Sequence, residues 1–216
     1  MLSMNQQTKL QLLLGLFVGL LVAMNLLGGK IIELPLITTS VGIFMAPLTF
    51  LITDVVEEVY GRKVTGGFLL AGVVTLIIVL AYTAIFVQLD PAERFTYDTE
   101  YKLVFGNSLR MMIASVVAFV LAQVHDIWAF NFWKTKTHGK FLWLRNNLST
   151  MVSQAIDTLV FMFIAFYHIA PKFDAAFILQ LAIPYYLLKI FFAALDTPFV
   201  YLGVRWLRNG STSSDS

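Results

Sequence analysis

Asp157 and Lys189 each stand inside a long apolar run. An ionisable side chain near the centre of a bilayer costs about 2.5 to 3.5 kcal/mol on insertion scales, so such groups face a protein interior and have a partner or a task. The turn between their two segments is centred near residue 173, equidistant from both, so an antiparallel helical hairpin brings them to one depth. Two readings follow and do not exclude each other. The pair holds two helices together, or it lines a central polar cavity of the kind transporters place at the midplane. Asn146, Thr150, Ser153 and Asp157 follow at spacings of four, three and four, with Ser149 and Gln154 beside them, which draws one polar stripe along a helix. On the next segment Lys189 and Asp196 are two turns apart, about 10 Å by helical rise. Facing polar stripes imply an interior that is wet or filled by a ligand.

A second cluster follows Pro47: Thr49, Thr53, Asp54, Glu57 and Glu58, then Tyr60-Gly61-Arg62. Carboxylates gathered at a helix C-terminus oppose the macrodipole, so they are either solvated at the membrane edge or held for a cationic or hydrogen-bond-donating ligand. Asn25 and Lys30, at the outer end of the first segment, are weaker candidates that alone read as interfacial.

Enzyme chemistry is poorly supported. Glu57-Glu58-Val59-Tyr60-Gly61-Arg62 matches the E-E-x-x-x-R element of intramembrane prenyl-protein proteases, but the F-x-x-x-H and H-x-x-x-N patterns that complete that site are absent around His125, His138 and His168. There is no G-x-S-x-G elbow. Asp157 and Asp196 sit at different depths, against an aspartyl dyad. With no cysteine, thiolate catalysis, disulfides and Cys-ligated metals are excluded. The expectation is a non-enzyme without metal or cofactor.

The elements that must position these residues are membrane spans. Only 13% of the 216 residues are charged and 58% are apolar, with a mean hydropathy of +0.78, where soluble domains carry about 25% charged residues. A span needs about 20 mostly apolar residues. Six are predicted: Leu10 to Leu27, Leu34 to Thr53, Val64 to Val87, Ser108 to Val124, Leu148 to Ile169 and Phe177 to Leu202. Continuous apolar runs argue against a β-barrel, whose strands alternate. The expected class is therefore an all-α polytopic membrane protein, with one domain over residues 1–206 and a short polar cytoplasmic tail over 207–216. Nine Lys and Arg gather on the side of Lys9, Arg62 and Arg205, against five on the other, which predicts that both termini are cytoplasmic. Trp128, Trp133 and Trp143 flank the basic stretch from Lys134 to Lys140 as interfacial indoles. The charge is only +2, without a basic block, so the lipid bilayer rather than nucleic acid is the expected surroundings. Gly15 and Gly19 form a G-x-x-x-G of the kind that packs helices or builds a homo-oligomer.

Met24-Asn25-Leu26-Leu27-Gly28-Gly29-Lys30, the segment from Pro47-Leu48-Thr49-Phe50 through Thr53-Asp54 to Glu58-Val59-Tyr60-Gly61, and Leu142-Trp143-Leu144-Arg145-Asn146-Asn147-Leu148-Ser149-Thr150 through Gln154 and Asp157-Thr158 together resemble the queuosine precursor transporter family, formerly labelled a vitamin uptake transporter family. The resemblance extends to Lys189 and Asp196-Thr197-Pro198, and the doubled acid at Glu57 departs from the pattern. It implies a six-helix importer of the bacterial inner membrane, similar in fold to the substrate-binding subunits of energy-coupling-factor transporters. It also implies a cargo such as 7-cyano-7-deazaguanine or its aminomethyl form, for tRNA queuosine modification. A deazaguanine is a flat ring whose donor edge a carboxylate can accept side by side and whose faces stack on aromatic side chains. Among 19 Phe, 8 Tyr and 4 Trp, composition singles out no stacking partner. The implied substrate-binding set is Asn25, Lys30, Asp54, Glu58, Arg145, Asn146, Gln154, Asp157, Lys189 and Asp196, with Asp157 first for the donor edge. The alternatives are a binding subunit of an ATP-driven vitamin-type transporter and an intramembrane enzyme.

Overall fold

In the computed structural model, residues 4–35, 37–136, 142–195 and 197–208 are described, with the side chains of 126, 127, 130, 131, 134, 142–150, 193, 194 and 197 set aside. Those residues form seven α-helices and one small hairpin: α1 (Gln6–Leu27), β1 (Ile31–Glu33), β2 (Thr38–Ser40), a 3-10 turn (Val41–Phe44), α2 (Ala46–Tyr60), α3 (Arg62–Phe86), α4 (Asp98–Lys136), α5 (Leu142–Phe166), α6 (Ala175–Leu195) and α7 (Thr197–Arg208). Four helices have a stretch long and apolar enough to cross a membrane: Gln6–Leu27, Arg62–Phe86, Asp98–His125 and Ala175–Phe192; the apolar part of α5, Met151–Phe166, is shorter.

Two expected spans are interrupted. The apolar run from Leu34 to Thr53 is not one helix. Ile31–Glu33 and Thr38–Ser40 pair antiparallel, and the helix begins only at Ala46. The β-branched residues Ile31, Ile32, Ile37, Thr38 and Thr39 favour extended backbone, and Pro35 restricts the residue before it to extended conformations. Ser40 then starts the 3-10 turn by accepting from the Gly42 N–H at 3.1 Å, and Pro47 sits in the first turn of α2, where its missing N–H does no harm. The fold is thus helical with a two-stranded insert rather than purely α. The run from Phe177 to Leu202 also divides, into α6 and α7, with Pro198 at the second position of α7, and α7 continues to Arg208, two residues into the expected tail.

The largest core cluster joins α4, α5 and α6 through Met111, Ala114, Met162, Phe166, Ile178 and Leu181. A second joins α1, α2 and α3 through Phe17, Ile52, Val56 and Phe68, and a third seats Val204 and Leu207 of α7 on Val55 of α2. Small residues permit the close approaches. A Cβ at Gly72 would lie 2.7 Å from Leu21 Cδ2 and 3.0 Å from Phe17 Cε1, and one at Gly203 would lie 2.5 Å from Val55 Cγ2.

The two ends of the chain meet. Lys9 is buried, its Nζ donates to the Trp206 carbonyl at 2.6 Å, and it sits 4.9 Å from the centre of the Trp206 indole. This ammonium satisfies a free carbonyl at the C-terminus of α7 and opposes its negative dipole end. At the other end of the bundle Arg110 of α4 does the same for α5, donating from Nε to Ile164 O at 2.5 Å and from its terminal nitrogen to Tyr167 O.

Candidate functional site

A cavity of about 370 Å³ lies among α1, α2, α3, α4, α5 and α6, within the roughly 300–1,000 Å³ of small-molecule sites. Of the residues expected to bind substrate, Asn25, Asp54, Gln154, Asp157 and Lys189 all line it. Lys30 and Glu58 are exposed and are not among the described lining residues; Lys30 closes the base of the hairpin by accepting from Val41 N at 3.0 Å. Arg145 and Asn146 lie near the start of α5, but their side chains lie outside the described set, as does all of Asp196.

The contact expected from the hairpin arithmetic is present. Lys189 Nζ donates to Asp157 Oδ2 at 2.9 Å, with the side chains 11% and 28% exposed. Removing either partner would strand the other charge in a poorly solvated place. The Tyr185 ring, one turn before Lys189, is buried and lies 5.6 Å from the ammonium, an added attraction between the cation and the ring face.

Most other polar groups around the cavity are committed to the protein. Asn25, 1% exposed, donates from Nδ2 to Leu21 O at 2.9 Å and accepts at Oδ1 from Ser115 Oγ at 2.6 Å, tying α1 to α4. Ser40 Oγ donates to Gly28 O at 2.5 Å. Thr49 and Thr53 donate back to carbonyls in their own helix, Ala46 O at 2.7 Å and Phe50 O at 2.8 Å, and Thr158 does likewise to Gln154 O at 2.9 Å. These bonds satisfy hydroxyls in an apolar setting and leave the ion pair as the most strongly polar feature of the inner wall. The fifth-helix stripe splits. Asp157 and Gln154 face the cavity, whereas Ser153 is buried against α4, 2.9 Å from His125 Nδ1.

Exposure rises along the cavity. Ser40, Gly42, Asn25, Ala46 and Thr49 are buried, Thr53 is half-buried, and Asp54, Glu57 and Gln123 are exposed. The hairpin end is closed and the Glu57 end open. At that open end the lining acids are Asp54 and Glu57, and Glu57 pairs with Arg62 at 3.3 Å. The expected binding set holds its neighbour Glu58, which is not among the described lining residues. Phe17, Phe50, Phe119, Phe161 and Tyr185 form the aromatic wall that composition does not single out. Of these, Tyr185 carried a readable signal, four residues before Lys189 on the same helical face.

The family described as "Putative vitamin uptake transporter" matches residues 40–203. A Bacillus subtilis protein named "Probable queuosine precursor transporter" is 31% identical over 210 residues, 93% of this chain and 88% of its own length. The Escherichia coli "Queuosine precursor transporter" is 25% identical over 152 residues, covering 70% and 66%, and a Haemophilus influenzae "Probable queuosine precursor transporter" is 28% identical over 150 residues, covering 69% and 61%. No solved structure matches the chain significantly.

Proposed function

The chain belongs to the vitamin uptake transporter family that matches residues 40–203, and from that premise we propose that it imports a queuosine precursor, a 7-deazaguanine, across the bacterial inner membrane. The observation that carries this is the aromatic-walled cavity with one ammonium–carboxylate pair on its inner face. A flat, hydrogen-bonding heterocycle fits such a wall. Asp157 accepts the ring's donors, Gln154 beside it and Asn25 opposite supply further polar contacts, and Asp54 lies on the path to the open end. Lys30, Glu58, Arg145, Asn146 and Asp196 belong to the proposed set through the family resemblance alone.

The chain crosses the membrane six times in this reading, in the manner of the substrate-binding subunits of energy-coupling-factor transporters. α2, about 22 Å long by helical rise, is too short for a core of about 30 Å, and the hairpin and 3-10 turn complete its crossing. Lys9, Arg62, Arg205 and Arg208 cluster at the end where the chain termini meet, and the positive-inside rule makes that end cytoplasmic. The cavity is then open to the cytoplasm.

Cells unable to make queuosine precursors test the proposal. They should accumulate labelled 7-cyano- or 7-aminomethyl-7-deazaguanine when they express this chain. An Asp157→Asn variant at the same membrane level should lose at least about tenfold of that uptake, the worth of a charge-assisted hydrogen bond. No accumulation with a well-inserted wild-type chain overturns the proposal.

A further inference from the structure

We infer that Asp157 and Lys189 act as one reader of a guanine-type ring edge, the carboxylate accepting the ring N–H and the amino group while the ammonium donates to the adjacent ring carbonyl. The inference rests on the transport reading and goes past it, because it assigns each edge atom a partner and states which rings the cavity refuses.

The geometry requires no rearrangement of the pair. Lys189 Nζ already stands 2.9 Å from Asp157 Oδ2 on the cavity wall. An ammonium has three N–H donors and a carboxylate about four lone-pair directions. One N–H therefore holds Asp157 while another reaches a ligand, and the carboxylate still has both oxygens to offer. Side by side the two groups present a donor followed by two acceptors. A guanine-type edge presents the complement: carbonyl acceptor, ring N–H donor, amino donor. An adenine-type edge sets an amino donor against the ammonium and a ring lone pair against the carboxylate. Both contacts are repulsive and both charges lose solvation without replacement, the situation in which buried polar groups discriminate most strongly.

The surroundings direct this role to the pair. Toward the closed end the Ser40 and Thr49 hydroxyls donate to backbone carbonyls and the Asn25 carbonyl oxygen takes the Ser115 hydroxyl, so that amide keeps one N–H to give but no free acceptor matched to the ring's donors. The Tyr185 ring under Lys189 holds the ammonium against the wall, so a ring entering from the open end meets a fixed donor.

Calorimetric titration of the purified full chain with three rings tests the assignment: 7-deazaguanine, 6-thio-7-deazaguanine, which keeps the ring N–H and the amino group but puts the weaker acceptor sulfur in place of the carbonyl oxygen, and 7-deazaadenine. The wild type should bind 7-deazaguanine about tenfold more tightly than the thiocarbonyl ring, and about 100-fold more tightly than 7-deazaadenine. Lys189→Met should remove the first preference by weakening 7-deazaguanine more than the thiocarbonyl ring, so that deleting the lysine and changing the carbonyl are not additive. Lys189→Arg should restore it. Equal weakening of both rings in Lys189→Met, wild-type binding of 7-deazaadenine as tight as that of 7-deazaguanine, or no binding of any ring overturns the inference. Binding is read on purified protein, so this outcome is separate from whether cells accumulate label.

Discussion

Asn25 shows how a polar residue inside a membrane protein can serve the fold and the site together. Its carbonyl oxygen takes the Ser115 hydroxyl and one amide N–H goes to Leu21 O, leaving the second amide N–H for a ligand in the cavity it lines. Replacing it by leucine keeps the branched shape with somewhat more bulk, removes both bonds and strands the Ser115 hydroxyl. Asn25→Leu should lower the stability of the detergent-solubilised protein by roughly 1–3 kcal/mol. Adding Ser115→Ala should cost little more, because that hydroxyl has already lost its partner. Thermal unfolding of the two single variants and the double variant measures this, and fully additive losses would mean the two groups do not bond. Asn25 and Ser115 were not legible as a pair, since two neutral side chains on α1 and α4 carry no mark of shared depth. Asp157 and Lys189 were, because a charge in an apolar run is costly enough to demand a partner and the hairpin sets which residue lies level with it. Glu57 and Glu58 mark the limit between these cases. Neighbours on a helix differ by about 100° of rotation, and which one meets the cavity depends on how α2 docks.

Helices α1, α3 and α6 were legible as elements because a long apolar run without breakers has few other ways to satisfy its backbone in lipid. The segment from Ile31 to Met45 was not, since its hydropathy is that of a span while its β-branched residues and Pro35 turn it into a hairpin; average hydropathy does not distinguish the two. The division of α6 from α7 was hidden for the same reason. What seats α7 is local fit: Gly203 lets the helix close on Val55 of α2, a β-branched side chain with little rotamer freedom in a helix. Gly203→Ala sets a methyl against Val55 Cγ2 and should cost roughly 1–3 kcal/mol through overpacking. Gly15→Ala is the matched control. Its added Cβ meets nothing within 4 Å, and alanine is the better helix former by roughly 0.5–1 kcal/mol. The melting temperature should fall for the first and hold or rise for the second. Equal responses would show that α7 does not rest on α2 through this contact.

At the scale of the whole molecule, the asymmetry of the cavity defines a state. A carrier open only toward Glu57 cannot take up cargo from the other side, so import requires the hairpin end to open while the Glu57 end shuts. The seal to be broken is small and specific: Ser40 bonded to Gly28 O, and Gly42 packed so that a Cβ there would lie 3.2 Å from Met24 Cγ. The hydroxyl of Thr39, on the same strand, is 1% exposed and has no hydrogen-bond partner among the described residues, a cost that the closed arrangement carries and that exposure to water on opening would relieve. The chain has no cysteine, so a Met24→Cys, Gly42→Cys pair gives a cross-link without background: a Cβ at Gly42 would lie 3.2 Å from the Met24 Cγ position, which a cysteine sulfur would take. Oxidation should stop uptake of labelled deazaguanine, and reductant should restore it, while each single variant transports with or without oxidant. The block should act on transport rather than on binding from the open side, so the oxidised protein should still bind 7-deazaguanine in titration. Uptake that continues in fully cross-linked protein would mean that the hairpin stays seated through the cycle and that cargo enters by another route.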